Sequence, residues 1–209
     1  PNDLLLVLIS GGGTALSTLP AADLDVTDLR TTYHRMLTAG VPVQSMNAVR
    51  KHLTRVGGGQ LARAAAPASV AAAVVSDVVG DDMSVIASGP TVPDPTAYED
   101  AVRVLYRHNL WHDVPRPVRT HLAEGARGKR PDTPGPDDAC FERVHTRLIG
   151  TNRMALDAAA EAAEARGYEV RRVTAGVEGE ARAVGRDHVD TMRDAEPSMP
   201  TCWLWGGEP

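Results

Sequence analysis

The sequence predicts an α/β fold in which a mostly parallel sheet carries helices on both faces, a Rossmann-like three-layer arrangement. Two observations predict it. Short apolar runs bounded by turn residues alternate with longer helical patterns along the chain. The first run, residues 4–9, breaks directly into the glycine turn Ser10 to Thr14. Because crossovers between parallel strands are right-handed and short, we expect residues 1–209 to form a single layered domain.

Five segments are predicted as strands. Residues 4–9 (LLLVLI) and 70–75 (VAAAVV) are apolar at every position, which is typical of strands buried on both faces. Three further segments are bounded by turn or helix signals and complete the set: residues 147–150, 168–174 and 201–205.

Seven segments are predicted as helices. Thr27 can cap a helix that continues to residue 39. The triple glycine at 57–59 separates a helix over residues 45–55 from a short one over 61–66. The remaining helices are predicted over residues 96–108, 117–125, 152–166 and 178–194. Two segments rich in Pro, Gly and Asp are predicted as loops, at residues 79–95 and 127–138.

The composition excludes several classes of partner. The formal net charge is −5, and the 22 Lys and Arg residues are scattered, so we expect no nucleic-acid partner. Cys140 and Cys202 lie outside any metal-binding spacing. No apolar run reaches the roughly 18 residues of a membrane span, so we expect no membrane insertion and a cytoplasmic location. A homodimer is left open as the assembly.

The turn at residues 10–14 (SGGGT) is the first candidate site. Three glycines allow backbone N–H groups to approach a phosphate or carboxylate closely. The turn matches neither the Walker pattern nor the dinucleotide fingerprint. From the residues alone, an anion site and a simple tight turn are equally well supported.

The loop that follows residues 70–75 is the second candidate. Asp77 comes directly after a buried strand, where a carboxylate can hold Mg²⁺ or orient a substrate hydroxyl. Asp81 offers a further oxygen ligand, whereas Asp82 is better explained as a capping residue. The segment SGPT at residues 88–91 follows in the same loop region.

The third candidate is the helix that carries Arg50 and Lys51. Neighbouring helical positions project in different directions, so at least one of the two cations can point toward an anion. A solvated helix face is the alternative. Glu178 and Glu180 begin a later helix, and their position by itself favours interaction with the helix dipole.

Six blocks of sequence together resemble the MOFRL-type glycerate 2-kinases. They occur in matching order and cover essentially the whole chain. They are LISGGGTAL (8–16), NAVRKHL (47–53), VVSDVVGDD (74–82), VIASGPTVPDP (85–95), NRMALDAA (152–159) and VEGEAR (177–182). The sequence departs from the family pattern at Gly57, where a lysine is usual, and at Trp205, where a serine is usual.

The resemblance implies a kinase that uses ATP and Mg²⁺ to phosphorylate the 2-hydroxyl of D-glycerate. It implies catalytic roles for Arg50, Lys51 and Asp77, metal binding by Asp77 and Asp81, and substrate binding by Asn47, Asn152 and Glu178. The implied nucleotide site comprises Ser10, Gly11, Gly12, Gly13, Thr14, Ser88, Gly89, Pro90 and Thr91.

The resemblance also implies a two-domain enzyme of which this chain is a part. The chain begins at Pro1 and ends shortly after Gly206 and Gly207, and we expect further segments on both sides. The 209 residues alone therefore need not be active. Two other functions stay open: an NAD(P)H-dependent hydroxypyruvate reductase, and an anion-binding α/β module without catalysis.

Overall fold

The computed structural model of the protein describes residues 3–208, which contain five strands and eight α-helices. The strands are β1 (Leu4–Ile9), β2 (Ser69–Val75), β3 (Val144–Gly150), β4 (Glu169–Val177) and β5 (Thr201–Gly207). The helices are α1 (Gly13–Leu16), α2 (Val26–Thr38), α3 (Val43–Leu53), α4 (Gln60–Ala65), α5 (Tyr98–Arg107), α6 (Arg116–Gly125), α7 (Asn152–Glu164) and α8 (Ala181–Asp194). Within residues 3–208, no helix is both long enough and apolar enough to cross a membrane.

The chain divides into two compact units. The first comprises residues 1–74 and 83–147, and the second comprises residues 75–82 and 148–209. The first unit therefore holds β1, α1 to α6 and most of β2, whereas the second holds α7, β4, α8 and β5.

The strands of the first unit confirm the predicted parallel pairing. β1 runs parallel to β2, from Leu4 opposite Ser69 to Ile9 opposite Val74, and β2 also pairs with β3. Alternate residues of β2 are buried, whereas the residues between them are only partly buried or exposed, so the predicted burial of β2 on both faces is wrong. Burial of β1 on both faces is not observed, because Leu6 is 62% exposed and Leu8 is 75% exposed. The described residues leave that face of β1 uncovered.

The core of the first unit lies among four of its helices. Leu29 of α2, Leu53 of α3, Leu105 of α5 and Leu122 of α6 are each 1% exposed or less. Complete burial of a leucine side chain stabilises a fold by about 1.5–3 kcal/mol. This helical core gives α3 a fixed orientation, and α3 carries three of the predicted site residues.

The cap of α2 differs from the prediction. The structure places Asp25 at the N-cap, where its Oδ1 accepts a hydrogen bond of 2.7 Å from the backbone N–H of Asp28. The Asp28 side chain in turn accepts from the Asp25 backbone N–H, which completes a capping box. Thr27 lies inside the first turn, so the prediction of a Thr27 cap is wrong: two reciprocal bonds favour the earlier start.

The second unit also has parallel strands. β4 pairs with β5 from Glu169 opposite Thr201 to Val177 opposite Gly207, with two irregularities in register, and α7 packs against both strands. Thr151 caps α7 through a 3.1 Å hydrogen bond from the Met154 backbone N–H. The predicted α/β fold with parallel strands is thus confirmed, and the pairing of the described residues gives a three-stranded and a two-stranded sheet.

Candidate functional site

Four predicted site residues form one hydrogen-bonded cluster in the first unit. The Thr14 and Ser88 hydroxyl oxygens are 3.1 Å apart, and Ser88 Oγ lies 3.5 Å from Asn47 Oδ1. The same Asn47 oxygen accepts a 3.3 Å hydrogen bond from Arg50 Nη1. The turn after β1, the 85–91 loop and α3 therefore meet at this cluster.

The loop that carries Ser88 has an unusual backbone. Ala87 and Ser88 have φ values of 50° and 62°, in the left-handed region that non-glycine residues rarely adopt. Such a conformation persists when surrounding contacts fix it. Here the backbone N–H of Gly58 donates to Ser88 O at 2.7 Å, and that of Gly59 donates to Gly89 O at 2.7 Å. The glycine segment 57–59 thus holds the Ser88 loop through its backbone.

Arg50 is the cation that faces this cluster. Its guanidinium lies over the Tyr33 ring, 5.2 Å from the ring centroid, and its Nε makes no hydrogen bond within residues 3–208. Burial lowers the pKa of Arg50, and burial also raises the pKa of Tyr33. Arg50 lines a small hollow together with Thr14 and Ser88. The free volume of this hollow is about 10 Å³, which is about the space that one water molecule needs.

Lys51 has a different environment from its neighbour Arg50. It is 3% exposed, and its Nζ lies 3.1 Å from Asp94 Oδ1. It is not among the residues that line the hollow beside Arg50. Its predicted catalytic role therefore stays a prediction, and what the structure shows is a buried ion pair.

The glycine turn lines a second cavity of the first unit. Gly12 has a φ of 78° and precedes α1, so the predicted tight turn is present. Ser10, Gly11 and Gly13 line a cavity of about 240 Å³, and Pro90 contributes to the same wall. Thr91, by contrast, is 3% exposed and bonds to Thr146 at 3.0 Å. Within the predicted nucleotide site, residues of the glycine turn therefore line a cavity, whereas Thr91 is buried in the protein interior.

A large cleft lies in the second unit. It has a volume of about 1030 Å³ and is formed by the segments that follow β2 and β3 together with the C-terminal ends of β4 and β5. Asp77 and Asp81 line it, as does Asn152 at the start of α7. Ligands of parallel α/β proteins bind at the carboxyl ends of strands, where these segments lie. The cleft therefore has the position expected of a ligand site.

Asn152 and Glu178 differ in their relation to this cleft. Asn152 Nδ2 donates a 2.7 Å hydrogen bond to Ala175 O, which joins the start of α7 to the end of β4. Glu178 is exposed and does not line the cleft. Glu180 is the N-cap of α8, where it accepts a 2.8 Å hydrogen bond from the Ala183 N–H. Substrate binding by Glu178 stays a prediction.

The two cleft aspartates are compatible with Mg²⁺ but do not form a complete cage. No group of three or more His, Cys, Asp or Glu side chains in residues 3–208 could hold a metal. Mg²⁺ typically binds through one or two protein carboxylates together with substrate phosphates. Asp77 and Asp81 line the same cleft, and metal binding by these two residues stays a prediction.

Sequence reasoning missed the buried carboxylate Asp94 and two buried histidines. His52 Nε2 lies 2.9 Å from Asp132, and His121 Nδ1 lies 2.8 Å from Asp23. Burial raises the pKa of both carboxyls, but the hydrogen bonds and charge of the histidines outweigh it, so both pKa values are lowered. No local pattern could reveal these pairs, because their partners are separated by 80 and 98 residues.

Comparison with known proteins finds one matching family model and several similar proteins. Residues 1–123 match the family model described as "Domain of unknown function (DUF4147)". A glycerate 2-kinase of Pyrococcus horikoshii is 38% identical over 99% of this chain. A protein of Agrobacterium vitis, provisionally named a hydroxypyruvate reductase, is 41% identical over 100% of it. The crystal structure of a glycerate kinase from Thermotoga maritima matches 100% of the chain with a TM-score of 0.81 and 32% identity.

The chain spans about half the length of these relatives. It covers 47% of the Pyrococcus protein, 46% of the Agrobacterium protein and 49% of the Thermotoga chain.

Proposed function

This chain belongs to the DUF4147 family, and from that membership we propose that it is part of an enzyme that transfers a phosphoryl group from ATP to the 2-hydroxyl of D-glycerate. The observation that carries the proposal is the similarity, over nearly the whole chain, to the Pyrococcus and Thermotoga glycerate kinases. The products are ADP and 2-phosphoglycerate. We further propose that both units belong to one α/β domain of a longer, two-domain cytoplasmic enzyme.

In the first unit, the proposed role is recognition of anionic groups. Arg50 supplies a positive charge that carboxylate or phosphate oxygens can neutralise. Ser10, Gly11 and Gly13 line a separate cavity, and the proposed role of this glycine turn is to bind an anionic group there through backbone N–H groups. Asn47 is 4% exposed and bonded on both sides of its amide, so its proposed contribution is to orient Arg50 and Ser88.

In the second unit, the proposed role is to receive the phosphates of the nucleotide. Asp77 and Asp81 would hold Mg²⁺ in the cleft, and the N-terminus of α7 adds backbone N–H groups that favour negative charge. Bound Mg²⁺ neutralises charge on the transferred group. Asp77 is also suited to orient the substrate hydroxyl, because an ionised carboxylate accepts hydrogen bonds.

The proposed reaction needs no covalent enzyme intermediate. The bond between the terminal phosphorus and the bridging oxygen of ATP breaks as a bond to the glycerate 2-oxygen forms, and the hydroxyl proton is released. Because the reaction is phosphoryl transfer, catalysis arises from positioning and charge neutralisation.

An ADP-release assay on the intact protein with ATP, Mg²⁺ and D-glycerate tests the proposal. We expect ADP formation that depends on D-glycerate, and no oxidation of NADH or NADPH with hydroxypyruvate. Oxidation of the nicotinamide without ADP formation would establish the reductase instead. Thermal stabilisation by ligands without either turnover would indicate a binding module.

Replacement of Arg50 tests the first-unit assignment. In the intact enzyme, Arg50→Met should lower kcat/KM for D-glycerate by more than about tenfold, which corresponds to about 1.4 kcal/mol of transition-state stabilisation. Arg107→Met is the matched control, because Arg107 is an exposed arginine at the end of α5. Equal kcat/KM values in the two variants would remove Arg50 from the site.

A further inference from the structure

We infer that Asp94 is a positioning residue, and that Lys51 acts through Asp94 rather than by contact with the reacting groups. The pair lies beneath the glycine segment 57–59, which fixes the Ser88 loop. The inference rests on the proposed function, because it assigns to this pair the task of holding Ser88 in place for phosphoryl transfer.

The carboxylate of Asp94 is buried, and its two oxygens have different surroundings. Oδ1 lies 3.1 Å from Lys51 Nζ and also accepts from the Thr96 N–H at 2.9 Å and the Thr96 hydroxyl at 2.8 Å. The Lys51 and Asp94 side chains are 4% and 0% exposed. Oδ2 makes no hydrogen bond within residues 3–208 and faces Gly58, where a Cβ would lie 2.7 Å from it.

Lys51 contacts the same glycine segment along its stem. A Cβ at Gly58 would lie 3.3 Å from Lys51 Cβ, and one at Gly57 would lie 3.7 Å from Lys51 Cγ. The backbone O of Lys51 accepts a 2.9 Å hydrogen bond from Gln60 Nε2. The segment is therefore supported by Lys51 and Asp94, and its own N–H groups support Ser88 O and Gly89 O.

A positioning pair and a substrate-binding lysine respond differently to loss of charge. Removal of one member of a buried ion pair leaves an unpaired charge, whereas replacement of both members by neutral groups is often tolerated. A lysine that neutralises phosphate charge cannot be replaced in this way, since its charge acts on the substrate. The double variant therefore separates the two roles.

The experiment compares Lys51→Met, Asp94→Asn and the double variant in the intact enzyme. We expect each single variant to lose about 100-fold in kcat per folded molecule, as displaced catalytic geometry does, with a smaller change in KM. The double variant should recover to within about tenfold of the unmodified enzyme. Lys129→Met is the control, because Lys129 is the other lysine of the chain and is exposed.

Hydrogen exchange of the Gly58 and Gly59 amides gives a second readout that does not need turnover. Both amides should lose protection in the single variants and regain it in the double variant. If the unmodified enzyme forms no ADP, the proposed function fails, and the exchange data still decide the structural part of the inference: unchanged protection in the single variants overturns it.

A double variant as inactive as Lys51→Met would also overturn the inference and assign Lys51 to the reacting groups. If a single variant does not fold, the double variant and the unmodified enzyme still suffice, since a folded double variant with activity supports the pair and one without activity contradicts it.

Discussion

Gly58→Ala should destabilise the first unit by more than its backbone conformation accounts for. Gly58 has a φ of 60°, and a non-glycine residue in that region costs about 1–2 kcal/mol. The new methyl group would also lie 2.7 Å from Asp94 Oδ2 and 3.1 Å from Thr133 Cγ2. In addition to the backbone cost, Gly58→Ala therefore introduces a steric conflict with the buried carboxylate of Asp94.

The size of that conflict follows from the bonds that hold Asp94. Its Oδ1 has three donors and its side chain is fully buried, so the carboxylate cannot move without lengthening the contact with Lys51. Loss of one partner from a buried ion pair costs about 3–5 kcal/mol, and displacement without complete loss costs part of that. We expect a total loss of about 3–5 kcal/mol in the free energy of unfolding.

Gly40→Ala is the matched control for this experiment. Gly40 has a φ of 64°, and no atom lies within 4 Å of the position that its Cβ would occupy. Its substitution should cost only the backbone term of about 1–2 kcal/mol. Urea unfolding followed by circular dichroism measures the loss in the free energy of unfolding for each variant, provided that the m-value is unchanged. Equal losses for the two variants would refute the steric argument and the close contact between Gly58 and Asp94.

Two further predictions concern the core and the buried histidine pairs. Leu122→Ala should lower the free energy of unfolding by about 2–5 kcal/mol, because Leu122 is fully buried, whereas Leu37→Ala, at 60% exposure, should change it by less than about 0.5 kcal/mol in the same urea titration. The lowered pKa of Asp132 contributes stability that is present above the ordinary value of 3.8 and is lost as pH falls through the lower folded-state value. Asp132→Asn should therefore flatten the acid limb of stability against pH, and an unchanged acid limb would show that the contact with His52 has no such effect.

Local pattern was sufficient for the approximate positions of the five strands and of seven of the eight α-helices in residues 3–208, but it did not predict α1. Residues 4–9 form β1 at the predicted positions, and the glycine turn follows it, because a continuous apolar run and a left-handed glycine each act within a few residues. The cap of α2 shows the limit of that reasoning. Asp25 and Thr27 are both suitable cap residues, and the reciprocal bond with Asp28 decided between them.

The sequence by itself determined the parallel α/β class, the approximate strand positions and the polar segments from which the candidate sites are built. Only the tertiary structure decided which side chains meet: Thr14 with Ser88 across 74 residues, and Lys51 with Asp94 across 43. Hydrophobic periodicity indicates which face of a helix or strand is buried, whereas these contacts depend on how segments distant in sequence pack together. Arg50 and Lys51 are adjacent in sequence, but helix geometry points one toward the hollow and the other toward a buried carboxylate.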